Sequence, residues 1–214
     1  MNKQYKNIIW DYNGTIVDDA ALAVKAENMV LETYGKPPIT LDFYLKECEM
    51  PILNFYNKIF DMNSFDFTEI SQRFIKYYEH LSHDAKVFPE VKEMICSLSQ
   101  KGYNQAVISG FESEMLKKSL HHFGLSDYFS FMSGSDDISC KSKSERAALV
   151  LKKYGLKPSE TLFIGDMYHD LETAAHVGAD CILISKGHQG HDVLSTYDVR
   201  VLKSAAELKE ILLL

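Results

Sequence analysis

From residue 88 onward, short apolar runs rich in Val, Ile and Leu alternate with stretches of helical periodicity, and that alternation leaves few folds open. Strand-like segments fall at 103–108, around 128–132, at 161–164 and at 180–184. Helical patterns at 91–100, 114–122, 143–154 and 171–177 separate them, and 205–214 reads as a closing helix. With the apolar run Ile8-Ile9-Trp10 as a first strand, the pattern predicts an α/β fold: a doubly wound, mostly parallel, Rossmann-like sheet with helices on both faces. Residues 18–86 break the rhythm. Leu22, Ala26, Met29, Val30 and Thr33 recur at helical spacing until Gly35-Lys36-Pro37-Pro38 stops them, and further helices are expected at 41–48, 52–60 and 67–81. That stretch is read as helical throughout, a cap inserted into a core built from 1–17 and 87–214.

Composition narrows the partners. The 214 residues carry a formal charge of -7, which repels nucleic acid and anionic membrane surfaces. Cys48, Cys96, Cys140 and Cys181 lie far apart in sequence, which predicts buried thiols in a reducing compartment rather than a disulfide framework or a zinc site. The stretch before Asp11 holds neither a signal-peptide core nor a membrane span, so the expected location is the cytoplasm.

Chemistry concentrates where the strands end. Asp11-Tyr12-Asn13-Gly14-Thr15 follows the first strand, Ser109-Gly110 follows Ala106-Val107-Ile108, and Gly165-Asp166-Met167-Tyr168-His169-Asp170 follows the strand at 161–164. A lysine stands in Lys141-Ser142-Lys143-Ser144, at the start of a helix. In an open parallel sheet all of these reach the crevice beyond the carboxyl ends of the strands. Taken singly, Asp11 reads as a solvated strand end, Ser109 as a helix N-cap, and the lysines as surface residues. The four elements in this order carry the signal.

With those motifs in place, the chain resembles the haloacid dehalogenase-like superfamily of aspartate-nucleophile phosphotransferases, in its phosphoglycolate-phosphatase-like branch, over nearly its whole length. The resemblance implies a magnesium-dependent phosphatase of a small phosphorylated metabolite. Asp11 would be the nucleophile, because a carboxylate can attack phosphorus and split hydrolysis into two steps. Mg²⁺ would be held by Asp11, Asp166, Asp170 and the backbone carbonyl of Asn13, cancelling charge between the attacking anion and the phosphate. Ser109 would hydrogen-bond the transferring group, and Lys143, with Lys141 as the alternative, would offset its developing charge and steady Asp11. His169 stays outside the metal set. The break at Glu49-Met50-Pro51 would lie nearest the substrate.

Asn13 departs from the pattern, which places an acid there to protonate the leaving group and then activate water. That help is typically worth about 10²–10⁴ in rate, so its loss bears most on alkoxide leaving groups. Three outcomes stay open: a substrate with a good leaving group, proton transfer by Asp18, Asp19 or His169, or slow turnover. A similar signature with Trp-Asp-aromatic-Asn-Gly-Thr and a late Gly-His-Gln, here Gly187-His188-Gln189, marks the Asn as inherited. A dehalogenase would not require the acidic pair, a phosphonate hydrolase would need a Schiff-base lysine that neither Lys46 nor Lys58 matches, and a phosphomutase relies on the acid that Asn13 replaces. A catalytically weak protein that binds a phosphorylated metabolite is the alternative from another class.

Overall fold

In the computed structural model, which describes residues 4–135 and 143–212, the apolar runs form one six-stranded sheet whose neighbouring strands all run parallel. The chain passes through β1 (Asn7–Trp10), β2 (Val17–Asp18), α1 (Ala20–Thr33), α2 (Leu41–Glu47), α3 (Ile52–Ile59), α4 (Phe67–Ser82) and β3 (Lys86–Val87). It continues through α5 (Pro89–Gln100), β4 (Asn104–Glu112), α6 (Ser113–His122), β5 (Phe131–Ser135), α7 (Lys143–Tyr154), β6 (Thr161–Gly165) and α8 (Tyr168–Val177). The last elements are β7 (Asp180–Ile184), α9 (His191–Leu194), β8 (Arg200–Leu202) and α10 (Leu208–Leu212). The sheet order is β5-β4-β1-β6-β7-β8. The chain thus winds outward on one side of β1 and then on the other, and such a reversal opens a crevice at the carboxyl ends of the central strands.

The central strands are apolar because helices cover both faces. β1 and β6 are buried along their whole length. Trp10 is fully enclosed, and its indole N–H donates to Gln105 Oε1 at 3.1 Å, while the Gln105 amide donates to the Ile95 carbonyl at 2.9 Å. The largest polar ring system of the core is thereby satisfied rather than stranded.

Helices α1 to α4 have an apolar centre of their own, built on residues such as Val30, Tyr44, Phe55, Tyr56 and Ile70. Thr40 starts α2 by accepting from Phe43 N–H at 3.1 Å, and Asp66 starts α4 by accepting from Glu69 N–H at 2.9 Å. The aromatic residues of this segment therefore pack as core. It is not helical from end to end. Val17–Asp18 and Lys86–Val87 form an antiparallel two-stranded ribbon, a pairing between the two ends of the segment that local periodicity does not encode.

Three further differences stand out. Ser109-Gly110 does not open a helix but lies within β4. Glu112 is the cap instead, its carboxylate accepting from the N–H groups of Glu114 and Met115. The short β8 and α9 had no strong periodic signal. Among the cysteines, Cys48 is buried while Cys96 and Cys181 are only partly so; Cys140 and Lys141 lie outside the described residues.

Candidate active site

Each motif reaches one crevice by the strand that precedes it. Asp11 continues β1, its N–H donating to the Ile164 carbonyl at 2.8 Å. Asp166 follows β6, and Asp170 sits in the first turn of α8. One carboxylate oxygen from each of Asp11, Asp166 and Asp170 lies within 4.8 Å of the others. Lys143, the first residue of α7, joins two of them, with Nζ 2.7 Å from Asp11 Oδ1 and 2.6 Å from Asp170 Oδ1. Three acids face one lysine, so the cluster keeps an excess of negative charge that a divalent cation would neutralise. The donor set of hard carboxylate oxygens fits magnesium.

Close approach at this point requires glycine. Gly14 has φ +71°, and a Cβ there would lie 2.3 Å from Asp166 Oδ2. A Cβ at Gly187 would lie 2.2 Å from the same oxygen. Between these two bare backbones, Asp166 accepts from Thr15 Oγ1 at 2.7 Å and from the His188 N–H at 2.7 Å. The second oxygen of Asp170 accepts from the N–H groups of Asp166 and Met167, both at 3.1 Å, so this acid also caps its own helix.

Burial and pairing separate the acids. Burial raises the Asp11 carboxyl to about 6, against the pull of Lys143. Burial likewise lifts Asp166, opposed by the charge of His188, to about 7. For Asp170 burial pushes upward too, but the Lys143 charge and hydrogen bond prevail and hold it below the usual carboxylate range. Burial works against the charge of Lys143, and its two carboxylate partners outweigh it and keep the ammonium protonated.

Ser109 is buried beside this cluster, its Oγ accepting from Phe111 N–H at 3.1 Å, while Arg146 donates to its carbonyl at 2.7 Å. The side-chain amide of Asn13 donates to Asp19 Oδ2 at 2.8 Å and to the Tyr78 hydroxyl oxygen at 2.7 Å. Asp19 also accepts from Gly14 N–H at 2.7 Å and faces His188 Nε2 at 3.3 Å. Burial works to raise Asp19, yet the His188 charge, with hydrogen bonds from His188, Tyr78 and Asn13, holds it below its usual range. Asp18 instead points outward from β2, and His169 lies 3.5 Å from Glu172, outside the acidic cluster.

The segment Gly187-His188-Gln189-Gly190 ties the helical insert to the sheet. His188 Nδ1 is 2.9 Å from the Tyr44 hydroxyl, Gln189 donates to the Cys48 carbonyl at 2.8 Å, and Gly190 N–H donates to the Leu45 carbonyl at 2.9 Å. Sequence reading noticed this segment but gave it no role, and it missed Asp19 as the partner of Asn13; only the fold shows which groups meet. Between insert and sheet lies a cavity of about 540 Å³, into which Asp11, Asn13, Ser109, Lys143, Asp170 and His188 all reach. Met50 also lines it, whereas Glu49 pairs with Lys58 at 2.7 Å.

A largely enclosed carboxylate held by lysine at the end of a central parallel strand, with two further acids converging on it, is an arrangement that suits hydrolytic chemistry. The chain belongs to the family described as haloacid dehalogenase-like hydrolase, whose model matches residues 8–184. It is 26% identical to a phosphoglycolate phosphatase of Yersinia pestis over 203 residues, 91% of this chain and 87% of that protein. It is 33% identical to a phosphoglycolate phosphatase of Pectobacterium atrosepticum over 122 residues, 56% of this chain and 52% of that one. A haloacid dehalogenase-like hydrolase of Streptococcus pneumoniae superposes with a TM-score of 0.82 at 17% identity, covering 96% of this chain and 97% of that one, which shows the shared fold. The chain lies on the phosphoglycolate-phosphatase-like side of its family and is a hydrolase of the phosphatase class.

Proposed function

We propose that this protein is a magnesium-dependent phosphatase that hydrolyses a small phosphorylated metabolite through an aspartyl-phosphate intermediate. The observation that carries the reading is Lys143 bridging Asp11 and Asp170, with Asp166 beside them, at the cavity between insert and sheet. An oxygen of Asp11 attacks phosphorus, the bond from phosphorus to the leaving oxygen breaks, and the leaving group takes up a proton. Water then attacks the aspartyl phosphate, releasing phosphate and restoring Asp11. Lys143 holds Asp11 oriented and, with Ser109, balances charge on the transferring oxygens. Mg²⁺ held by Asp11, Asp166, Asp170 and the Asn13 carbonyl would act as the Lewis acid that lets an anion approach the phosphate. Residues 18–86 act as the cap over a core of 1–17 and 87–214, excluding water and contributing substrate contacts. The reading sets the enzyme in the cytoplasm; among the described residues no helix is long and apolar enough to cross a membrane.

Asn13 favours a second reading, a weakly catalytic binder of a phosphorylated metabolite, since its amide has no titratable proton for acid-base catalysis. Phosphate release from p-nitrophenyl phosphate, with and without magnesium, separates the two. Magnesium-dependent release that disappears in Asp11→Ala supports the phosphatase; its absence from a folded, magnesium-loaded protein overturns that reading and leaves the binder.

A further inference from the structure

The cavity extends from the acidic cluster into the helical insert, and its far part has a distinct chemistry. Asp19, Ala23 and Glu27 all line it, because a spacing of four residues keeps them on one face of α1. At about 1.5 Å of rise per residue, Glu27 lies about 12 Å along the helix axis from Asp19, well away from the phosphate end. It is 2% exposed. The Tyr56 hydroxyl donates to its Oε1 at 3.0 Å, while Oε2 is buried with no hydrogen-bond partner. Ser71, on the neighbouring α4, also lines the cavity, is 4% exposed, and has its Oγ buried without a partner. Two buried oxygens without partners, both on residues that line the same cavity, are costly in a folded protein unless something else satisfies them.

The surrounding charges say what that would be. Among the described residues that line the cavity, Lys143 is the only lysine or arginine, and it is committed to Asp11 and Asp170. Glu27 is instead bordered by aromatic groups, Tyr56 in contact and Tyr44 nearby, with Phe74 and Tyr78 on the cavity wall. The charged His188 in the lining is turned to Asp19 at 3.3 Å, so a carboxylate or second phosphate at this end would be stripped of water with no free cation to meet it. An N–H or O–H donor would find two waiting oxygens, and an ammonium would add the faces of the rings.

Resting on the phosphatase reading above, we infer that the substrate is a phosphate monoester whose leaving group is neutral or cationic and ends in a hydrogen-bond donor, read by Glu27 and Ser71. An acid-bearing ester such as phosphoglycolate is then a poor substrate, although the relatives named above are phosphoglycolate phosphatases. Burial raises the Glu27 carboxyl to about 8, so the empty site is mostly uncharged near neutrality. An arriving ammonium would displace the carboxyl proton to solvent and form an ion pair, whereas a hydroxyl would hydrogen-bond without any change of protonation.

The test uses alkyl phosphates of matched length ending in amino, hydroxyl, methyl or carboxylate groups, assayed with magnesium beside p-nitrophenyl phosphate. The amino or hydroxyl member should exceed the methyl and carboxylate members in kcat/KM by at least about tenfold, the least expected when a site built to pair a donor is offered none. Amino above hydroxyl identifies an ammonium; the reverse identifies a polyol or sugar hydroxyl. Glu27→Gln and Ser71→Ala, checked for folding by thermal melts, should compress that ratio. The corresponding phosphonates, titrated calorimetrically, should show the same order without turnover. Equal or better use of the carboxylate member, or a ratio unmoved in both variants, overturns the inference. Where p-nitrophenyl phosphate is turned over yet the terminus has no effect, this inference alone falls; where it is not turned over at all, the phosphatase reading falls and this one with it.

Discussion

Glu27→Gln should change how stability depends on pH. The Glu27 carboxyl is enclosed between α1 and the aromatic centre of the insert, and burial lifts it from 4.5 to about 8 despite the hydrogen bond from Tyr56. A tenfold change in proton affinity is about 1.4 kcal/mol, so a carboxyl displaced from 4.5 to about 8 corresponds to about 5 kcal/mol between fully protonated and fully ionised limits. The folded protein holds this proton more tightly than the unfolded chain does. The stabilisation is therefore complete below the unfolded value and is lost as pH rises through the folded one. Between pH 5 and pH 9 the loss is about 4 kcal/mol. Gln keeps an acceptor for Tyr56 and cannot ionise, so it removes the slope while Asp11 and Asp166 titrate alike in both proteins. Urea unfolding of wild type and variant, at intervals across that range, gives the difference directly. Wild type should lose about 4 kcal/mol relative to Glu27→Gln; parallel curves would refute the burial argument.

Asn13→Asp sets a second carboxyl where the amide now lies 2.8 Å from Asp19. The pair would share a proton, so kcat on alkyl phosphates should rise at least about tenfold relative to p-nitrophenyl phosphate, with a lower melting temperature. Lys143→Met leaves Asp11 and Asp170 buried without their cation; urea titration at neutral pH should show a loss of about 3–5 kcal/mol, and phosphate release should cease. Magnesium at a hundredfold its Kd should raise the unfolding free energy by about 2.7 kcal/mol. Melts of Asp166→Asn should lack most of that gain, and an undiminished gain would remove Asp166 from the metal set.

What could be read from the sequence was whatever repeats locally. The parallel sheet showed through because β1 and β6 are buried on both faces and so appear as unbroken apolar runs. Asp11, Ser109, Lys143, Asp166 and Asp170 were visible because each stands just beyond such a run or opens the next helix, and the structure brings all five to one crevice. The ribbon of Val17–Asp18 with Lys86–Val87 was hidden, since its two strands are short and far apart in the chain. Ser109 was misread as opening a helix because a serine after an apolar run resembles an N-cap, a task the structure gives to Glu112. Glu27 was invisible as a site residue: an acid within a helix looks solvated until the packing of α1 against its neighbours shows which face it occupies.

The loop after β7 holds the acidic cluster with one hand and the insert with the other. The His188 backbone fixes Asp166 at 2.7 Å, while its ring and the next two residues grip Tyr44, Cys48 and Leu45 around α2. Lifting α2 away from the sheet would therefore tug on Asp166, which the proposed function counts among the magnesium ligands. On the proposed function, opening to release product and loosening of the cation would be a single mechanical event. The lifetime of the bound ion and the residence time of the product should then follow the same latch.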